Sequence, residues 1–387
     1  MQKLPIILTL VLMMISSSLF AGSLDYLSNQ SAKYIINTAS TARTEGADIA
    51  SYNPAGTALF APGLYFDISN QTIFKFYSAK ETEVLDDEYK QSEPTLFLPN
   101  LYIVMSTERF AVYFQAGITG GGGTLKWDKG TVGVPGVSFE TSSMYYTLNQ
   151  GIAYSMFDGN AAVSVGIKYV MARRTIEIEG VYNDTYNANG FTPVIGFDVK
   201  PAQEFTFAIR YEMNTKLNFK YKSDGSKARQ DLPGVVSIGI DYKITPTTTI
   251  AASTNLYLMS AAKIEGLTIG SDKNNVDAGY DAALSFKHRV TEWVDICGTF
   301  MYTEQGIKKD YLKDPDSLAA ISANPILNSL MFGFGTICMI TDDVDLTFGL
   351  NWTHYITKKI NVDDTPPMRV IYKKDVYTFA LGAGVKI

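Results

Sequence analysis

Cysteine and histidine are almost missing from this chain of 387 residues, which holds two of each. Two cysteines cannot build a disulfide framework, and two histidines leave little for a metal site. Positive charge is not in surplus either: 33 basic against 39 acidic residues give a formal net charge of −6. No basic stripe therefore stands ready for a phosphate backbone, and nucleic acid is not an expected partner. Long apolar runs are confined to the extreme N-terminus, and a mean hydropathy of +0.01 excludes a bundle of membrane-spanning helices. The sequence carries no ATP motif, catalytic triad or metal-ligand cluster, so neither an enzyme nor a cofactor is expected. What it does have is apolar and aromatic weight, with 46% hydrophobic residues, 24 Tyr and 21 Phe, far above the content of unfolded chains.

The opening stretch, MQKLPIILTLVLMMISSSLFA, has one lysine, an apolar core over 4–15 and small residues ending at Ala21. This is the pattern of a secretory signal peptide, so 1–21 is expected to be a targeting segment, with an uncleaved anchor helix as the alternative.

The remainder is dominated by period two. From Glu204 the sequence places Phe205, Phe207, Ile209, Tyr211, Met213, Leu217, Phe219 and Tyr221 on one parity, with Arg210, Glu212, Lys216 and Lys220 on the other. Val344, Leu346, Phe348, Leu350 and Trp352 repeat the pattern against Asp345, Thr347, Gly349, Asn351 and Thr353. In a soluble sandwich such strands are greasy toward the core. Their length, the targeting segment and aromatics at strand ends favour greasy toward lipid and polar toward a lumen. About fourteen such segments occur between 63 and 387, joined alternately by short connections and long polar loops. The fold class expected is all-β: a transmembrane antiparallel β-barrel of about fourteen strands with both termini on the periplasmic side. Such a barrel is too wide for side chains alone to fill, so it needs a plug. Residues 22–62 lack period two, are rich in small polar residues and are assigned as an N-terminal hatch inside the lumen.

The segment TARTEGADIASYNPAGTALF, with Asn53, Pro54 and Ala55 at its centre, resembles the hatch signature of the long-chain fatty-acid transporter family of outer-membrane barrels, the FadL type, which also includes aromatic-hydrocarbon channels. Leu98-Pro99-Asn100, ARRTIE over 172–177 and Leu232-Pro233 add to the resemblance, which spans the chain beyond the targeting segment. It implies passive uptake of a hydrophobic small molecule by a monomer in the bacterial outer membrane, in contact with outer-membrane lipid. The Asn53-Pro54-Ala55 turn would gate the route, although a helix-ending turn explains the same residues.

Two further features are candidate sites. Gly120, Gly121, Gly122 and Gly123 follow the third strand; they fit either a flexible external loop or the inward kink that the resemblance implies as a lateral exit. Arg173 and Arg174 sit where the apolar parity of the fifth strand changes, which predicts a bulge and at least one arginine in the lumen. There a guanidinium could hold a ligand carboxylate or pair with Glu177 or Asp198. In the loop over 305–324, Asp316 or Ser317 is expected to cap a short apolar helix. A structural or adhesive surface barrel and a porin for polar solutes remain alternative functions.

Overall fold

The structure is a computed structural model and describes residues 29–83, 86–132, 134–223, 225–263, 277–306, 318–362 and 368–387. The expected signal peptide, the first part of the hatch, and Asp316 and Ser317 lie outside the described residues.

Seventeen strands form one main sheet, and because three of its staves are each in two pieces they make fourteen staves. We number the staves β1 (Gly63–Glu81), β2 (Glu88–Gln91 and Thr95–Ser106), β3 (Phe110–Trp127), β4 (Phe139–Met156), β5 (Ala161–Ile178), β6 (Tyr182–Ala202) and β7 (Phe205–Glu212 and Asn218–Tyr221). The circuit continues through β8 (Lys227–Arg229 and Gly234–Thr245), β9 (Thr248–Leu258), β10 (Gly279–Thr291), β11 (Val294–Glu304), β12 (Ser329–Thr341), β13 (Val344–Val362) and β14 (Met368–Lys386). Every stave pairs antiparallel with its neighbours, and β14 pairs with β1 from Tyr65↔Lys386 to Glu81↔Val370, which closes the barrel. Closure leaves no unpaired sheet edge, as a strand crossing lipid requires.

The outer face carries exposed apolar side chains, among them Ile68, Phe191, Ile195, Leu284, Phe334, Leu350 and Leu381. On a water-soluble molecule this belt would be an aggregation surface, whereas lipid is its natural solvent. Phe300, Phe332, Trp352, Tyr377 and Phe76 form a ladder of ring contacts across β11, β12, β13, β14 and β1, with centroids 5.2–6.4 Å apart. Among the described residues no helix is long and apolar enough to cross a membrane.

Two sequence expectations about alternation need correction. The period over 204–221 is not continuous. It breaks after Glu212 and resumes at Asn218, so that Phe207 and Ile209 face outward while Leu217, Phe219 and Tyr221 are buried inside. One extra residue in the break reverses every later side chain. Around Arg173 and Arg174 the predicted bulge does not exist, because β5 pairs with β4 and β6 without a register shift. The parity change has another cause. Val163, Val165 and Ile167 face outward at the belt, whereas Ile176 and Ile178 face an apolar lumen farther along the same strand.

Candidate functional site: the barrel lumen

Inside the barrel, the rim with the short turns is filled by the chain that precedes β1. Ala32–Ile36 forms helix α1, and two 3-10 turns follow at Ala47–Ala50 and Ala55–Leu59. Ser31 caps α1 by accepting a hydrogen bond from the Tyr34 amide at 2.9 Å. Small side chains dominate here because the barrel wall comes close. A Cβ on Gly239 would lie 2.7 Å from Thr41 Cβ, and one on Gly333 would lie 2.3 Å from the Ile35 carbonyl oxygen.

Charge ties this hatch to the wall. Lys33 Nζ reaches Asp67 on β1 at 2.8 Å and Asp345 on β13 at 2.9 Å. Burial works against the Lys33 ammonium, yet the carboxylates of Asp67, Asp345 and Asp48 outweigh it and raise its pKa above the ordinary lysine range. Within the hatch, Asp48 accepts from Arg43 at 2.5 Å and from the hydroxyls of Ser31 and Tyr52. Burial pushes its carboxyl up, but Arg43 and then Lys33 hold it below its usual range. Glu45 pairs with Lys287 on β10, which depresses its carboxyl to about 2.

The Asn53-Pro54-Ala55 triplet lies inside this hatch. Asn53 Nδ2 donates to the Arg43 carbonyl at 2.9 Å and to Asp198 on β6 at 2.8 Å, joining hatch to wall. Pro54, at φ −62°, leads into the 3-10 turn, where its missing N–H costs nothing. Ala55 is fully buried in a cluster with Tyr102, Tyr113, Ala153 and Ala162 of the wall.

Toward the loop rim the lumen becomes greasy. Trp127, Phe139, Tyr145, Val170, Ile176, Ile178, Phe219, Leu217, Tyr257, Tyr355 and Tyr372 belong to one buried cluster, joined by Ile321 and Leu327 from the segment between β11 and β12. Apolar residues in that loop therefore fold into the lumen. Arg174 points into this region, with its guanidinium 4.4 Å from the Phe219 ring and hydrogen bonds to Gln230 and the Tyr145 hydroxyl. Arg173 faces outward and is exposed. The structure thus separates the two arginines, and neither pairs with Glu177 or Asp198.

Between hatch and apolar cluster lies a cavity of about 120 Å³, bordered by Asn29 and Tyr34 of the hatch, by Ile73, Lys75 and Tyr77 of β1, and by Gly122 and Gly123. Gly120–Gly123 belongs to β3 rather than to an external loop, and the register with β4 shifts on both sides of Gly120. Gly121 and Gly123 have φ of +85° and +72°, and a Cβ at either would come within 2.2 Å of a neighbour, so only glycine fits this bulge. Sequence reasoning missed Lys75 and Asn29. For Lys75 the available signal was a lysine on the inward parity of a strand whose other face is Phe74 and Phe76.

Solved structures with the same layout are readily found. The chain superposes on a Pseudomonas aeruginosa FadL homologue with a TM-score of 0.68 at 12% identity, covering 90% of this chain and 98% of that one. This chain has a FadL-type fold. Similar superpositions join it to the Pseudomonas putida toluene transporter TodX (TM-score 0.66, 10% identity, 92% and 97% covered) and the Ralstonia pickettii toluene transporter TbuX (0.60, 13%, 87% and 93%). No family model matches the sequence, and no curated protein matches it. At such identities the shared property is the fold, and function has to be argued from the lumen.

Proposed function

We propose that this chain is a passive outer-membrane channel for hydrophobic small molecules, either long-chain fatty acids or aromatic hydrocarbons. The observation that carries the reading is the large buried apolar cluster inside the loop half of a barrel whose turn half is filled by a polar hatch. A porin for polar solutes has no use for a greasy lumen, and an adhesive barrel has no use for a cavity between two closures. The fold likeness to a FadL homologue and to two toluene transporters supports the same reading.

In this reading residues 1–21 direct secretion, 22–62 form the hatch and 63–387 the barrel, which works as a monomer without a catalytic step. Solute would be captured among the loops, pass into the apolar cluster beside Arg174 and reach the cavity. Movement of the hatch around Asn53, Pro54 and Ala55 and passage at the Gly120–Gly123 bulge would then release it sideways. Both termini would lie on the periplasmic side. Mass spectrometry of lipids co-purifying with the barrel tests this: an apolar ligand at near-stoichiometric level is expected. An empty barrel with steady single-channel conductance would refute it.

A further inference from the structure

Several buried lumen cations face a carboxylate: Lys33 has Asp67 and Asp345, Arg43 has Asp48, and Lys168 has Glu212 at 2.5 Å. Arg174 is held instead by Gln230, the Tyr145 hydroxyl and the Phe219 ring, and among the described residues Lys75 likewise has no such ion pair. Its side chain is buried and aimed at the glycine bulge, where Nζ donates to the carbonyl oxygens of Gly122 and Thr124, both at 2.5 Å, and to Thr95 Oγ1 at 3.0 Å. All three partners are neutral, and among the described residues no carboxylate lies within ion-pair distance. A buried ammonium held only by neutral oxygens remains poorly compensated. The same bulge is gripped from the hatch side, because Asn29 Nδ2 donates to the Gly121 carbonyl at 2.6 Å. Thr95 Oγ1 also donates to Gly122, at 2.7 Å. Lys75 borders the cavity, and so does Ser143, whose buried hydroxyl has no hydrogen-bond partner. A second cation stands nearby, since Lys374 lies over the rings of Tyr77 and Tyr355, two further cavity residues.

We propose that Lys75 is an anion-responsive latch on the β3 bulge: an acidic headgroup entering the cavity draws its ammonium from the Gly122 and Thr124 carbonyls and frees the bulge. The proposal rests on the channel reading above and adds the group through which cargo acts on the wall. An ionised headgroup makes a shorter and stronger bond to an ammonium than a peptide carbonyl does, and Ser143 supplies a second donor. The carbonyls so released belong to Gly122 and to Thr124 just beyond the glycine run, where the wall has little side-chain packing to hold it. A neutral hydrocarbon would occupy the same cavity without touching the latch.

The test uses the protein in lipid nanodiscs, with sodium dodecanoate and dodecanol as probes of equal chain length. Hydrogen–deuterium exchange over residues 120–124 is expected to quicken with dodecanoate and to stay unchanged with bound dodecanol. In Lys75→Met, exchange there should be fast without ligand, and dodecanoate affinity should fall about ten- to a hundredfold with dodecanol affinity nearly kept. Lys75→Gln, which keeps one donor, guards against a folding defect and should fall between the two. Binding of both probes to the unaltered protein with no change in bulge exchange would overturn the latch alone, as would equal affinity losses for both probes in Lys75→Met. Failure of both probes to bind the unaltered protein would instead overturn the channel reading beneath it.

Discussion

Replacing Lys33 by methionine tests what holds the hatch. The substitution keeps the length of the side chain but leaves Asp67, with 2% of its side chain exposed, and Asp345 facing each other without a cation. Removing one partner of a buried ion pair costs about 3–5 kcal/mol, chiefly through the charge left behind. If the hatch is docked by about 5 kcal/mol, its open fraction rises from roughly 0.02% to between a few per cent and a half. The structure supplies the reporter. Cys297 on β11 is 1% exposed and packs against Ile36 of α1, whereas Cys338 is on the opposite face of its own strand and serves after replacement by serine as the background control. Alkylation of Cys297 by a charged maleimide should therefore quicken roughly a hundredfold or more in Lys33→Met at pH 7.5. The unaltered protein gives the sign of the pH effect. The Lys33 pKa is raised on docking, so its contribution is complete at neutral pH and is lost only as pH rises beyond the ordinary lysine range. An alkylation rate equal to that of the unaltered protein, in a variant that remains folded, would show that this triad does not secure the hatch.

Other outcomes follow from the same coordinates. Gly239→Val should push the hatch away at Thr41 at a cost of about 1–3 kcal/mol, seen as faster Cys297 alkylation with the barrel still intact by heat-modifiable gel mobility. Arg174→Met should lower thermal stability by about 1–3 kcal/mol by removing its hydrogen bonds to Gln230 and the Tyr145 hydroxyl, while Arg173→Met stays within about 0.5 kcal/mol; equal effects would contradict the opposite facing of the two side chains. The Glu45 contribution is present above the usual carboxylate range and lost as pH falls toward 2, so pepsin should nick the hatch faster at pH 2 than at pH 4, and Glu45→Gln should flatten that difference. The effect should be small, because Glu45 is partly open to water. A cysteine at Lys273, which lies outside the described residues, should be labelled on intact cells and one at Asp158 should not; the reverse would invert the proposed orientation.

Barrel and stave number were legible because lipid on one side and a polar hatch on the other impose strict alternation, as in Phe348, Leu350 and Trp352 against Thr347, Gly349 and Asn351. Alternation reports that two faces differ, but it cannot tell which apolar solvent a face meets. The greasy residues of β7 switch from lipid at Phe207 to lumen at Phe219 without any change in their parity. At Arg173 and Arg174 the opposite happens, with parity changing and register intact, because β5 leaves the belt just as the lumen turns apolar. The Gly120–Gly123 run was visible, but whether it lay in the wall depended on the pairing of Gly120 with Tyr145 and of Gly123 with Ser143, roughly twenty residues away. Lys75 was least legible. Its significance is that its ammonium is held by the Gly122 and Thr124 carbonyls and Thr95 rather than by an ion pair among the described residues, which only three-dimensional neighbours reveal.

A barrel of this width was expected to need a plug, and the lumen in fact has two closures in series, the hatch and the apolar cluster, with the mixed cavity between them. Under the proposed channel function this order has a physical rationale. Each methylene gains about 0.8 kcal/mol on leaving water, so a chain of ten carbons held by a single apolar pocket would be bound too firmly to move on. A cavity lined by Asn29, Lys75, Thr141 and Asp281 as well as Ile73 and Met301 offers less of that gain than the cluster above it. Lipid outside the wall restores the gain in full. Cargo would thus descend from a deep site through a shallower one to a bath as favourable as the first. The shallow site adjoins the one stretch of β3 where four glycines replace packed side chains. In the proposed route, filling that stretch with side chains would close the sideways exit and leave the deep site a trap.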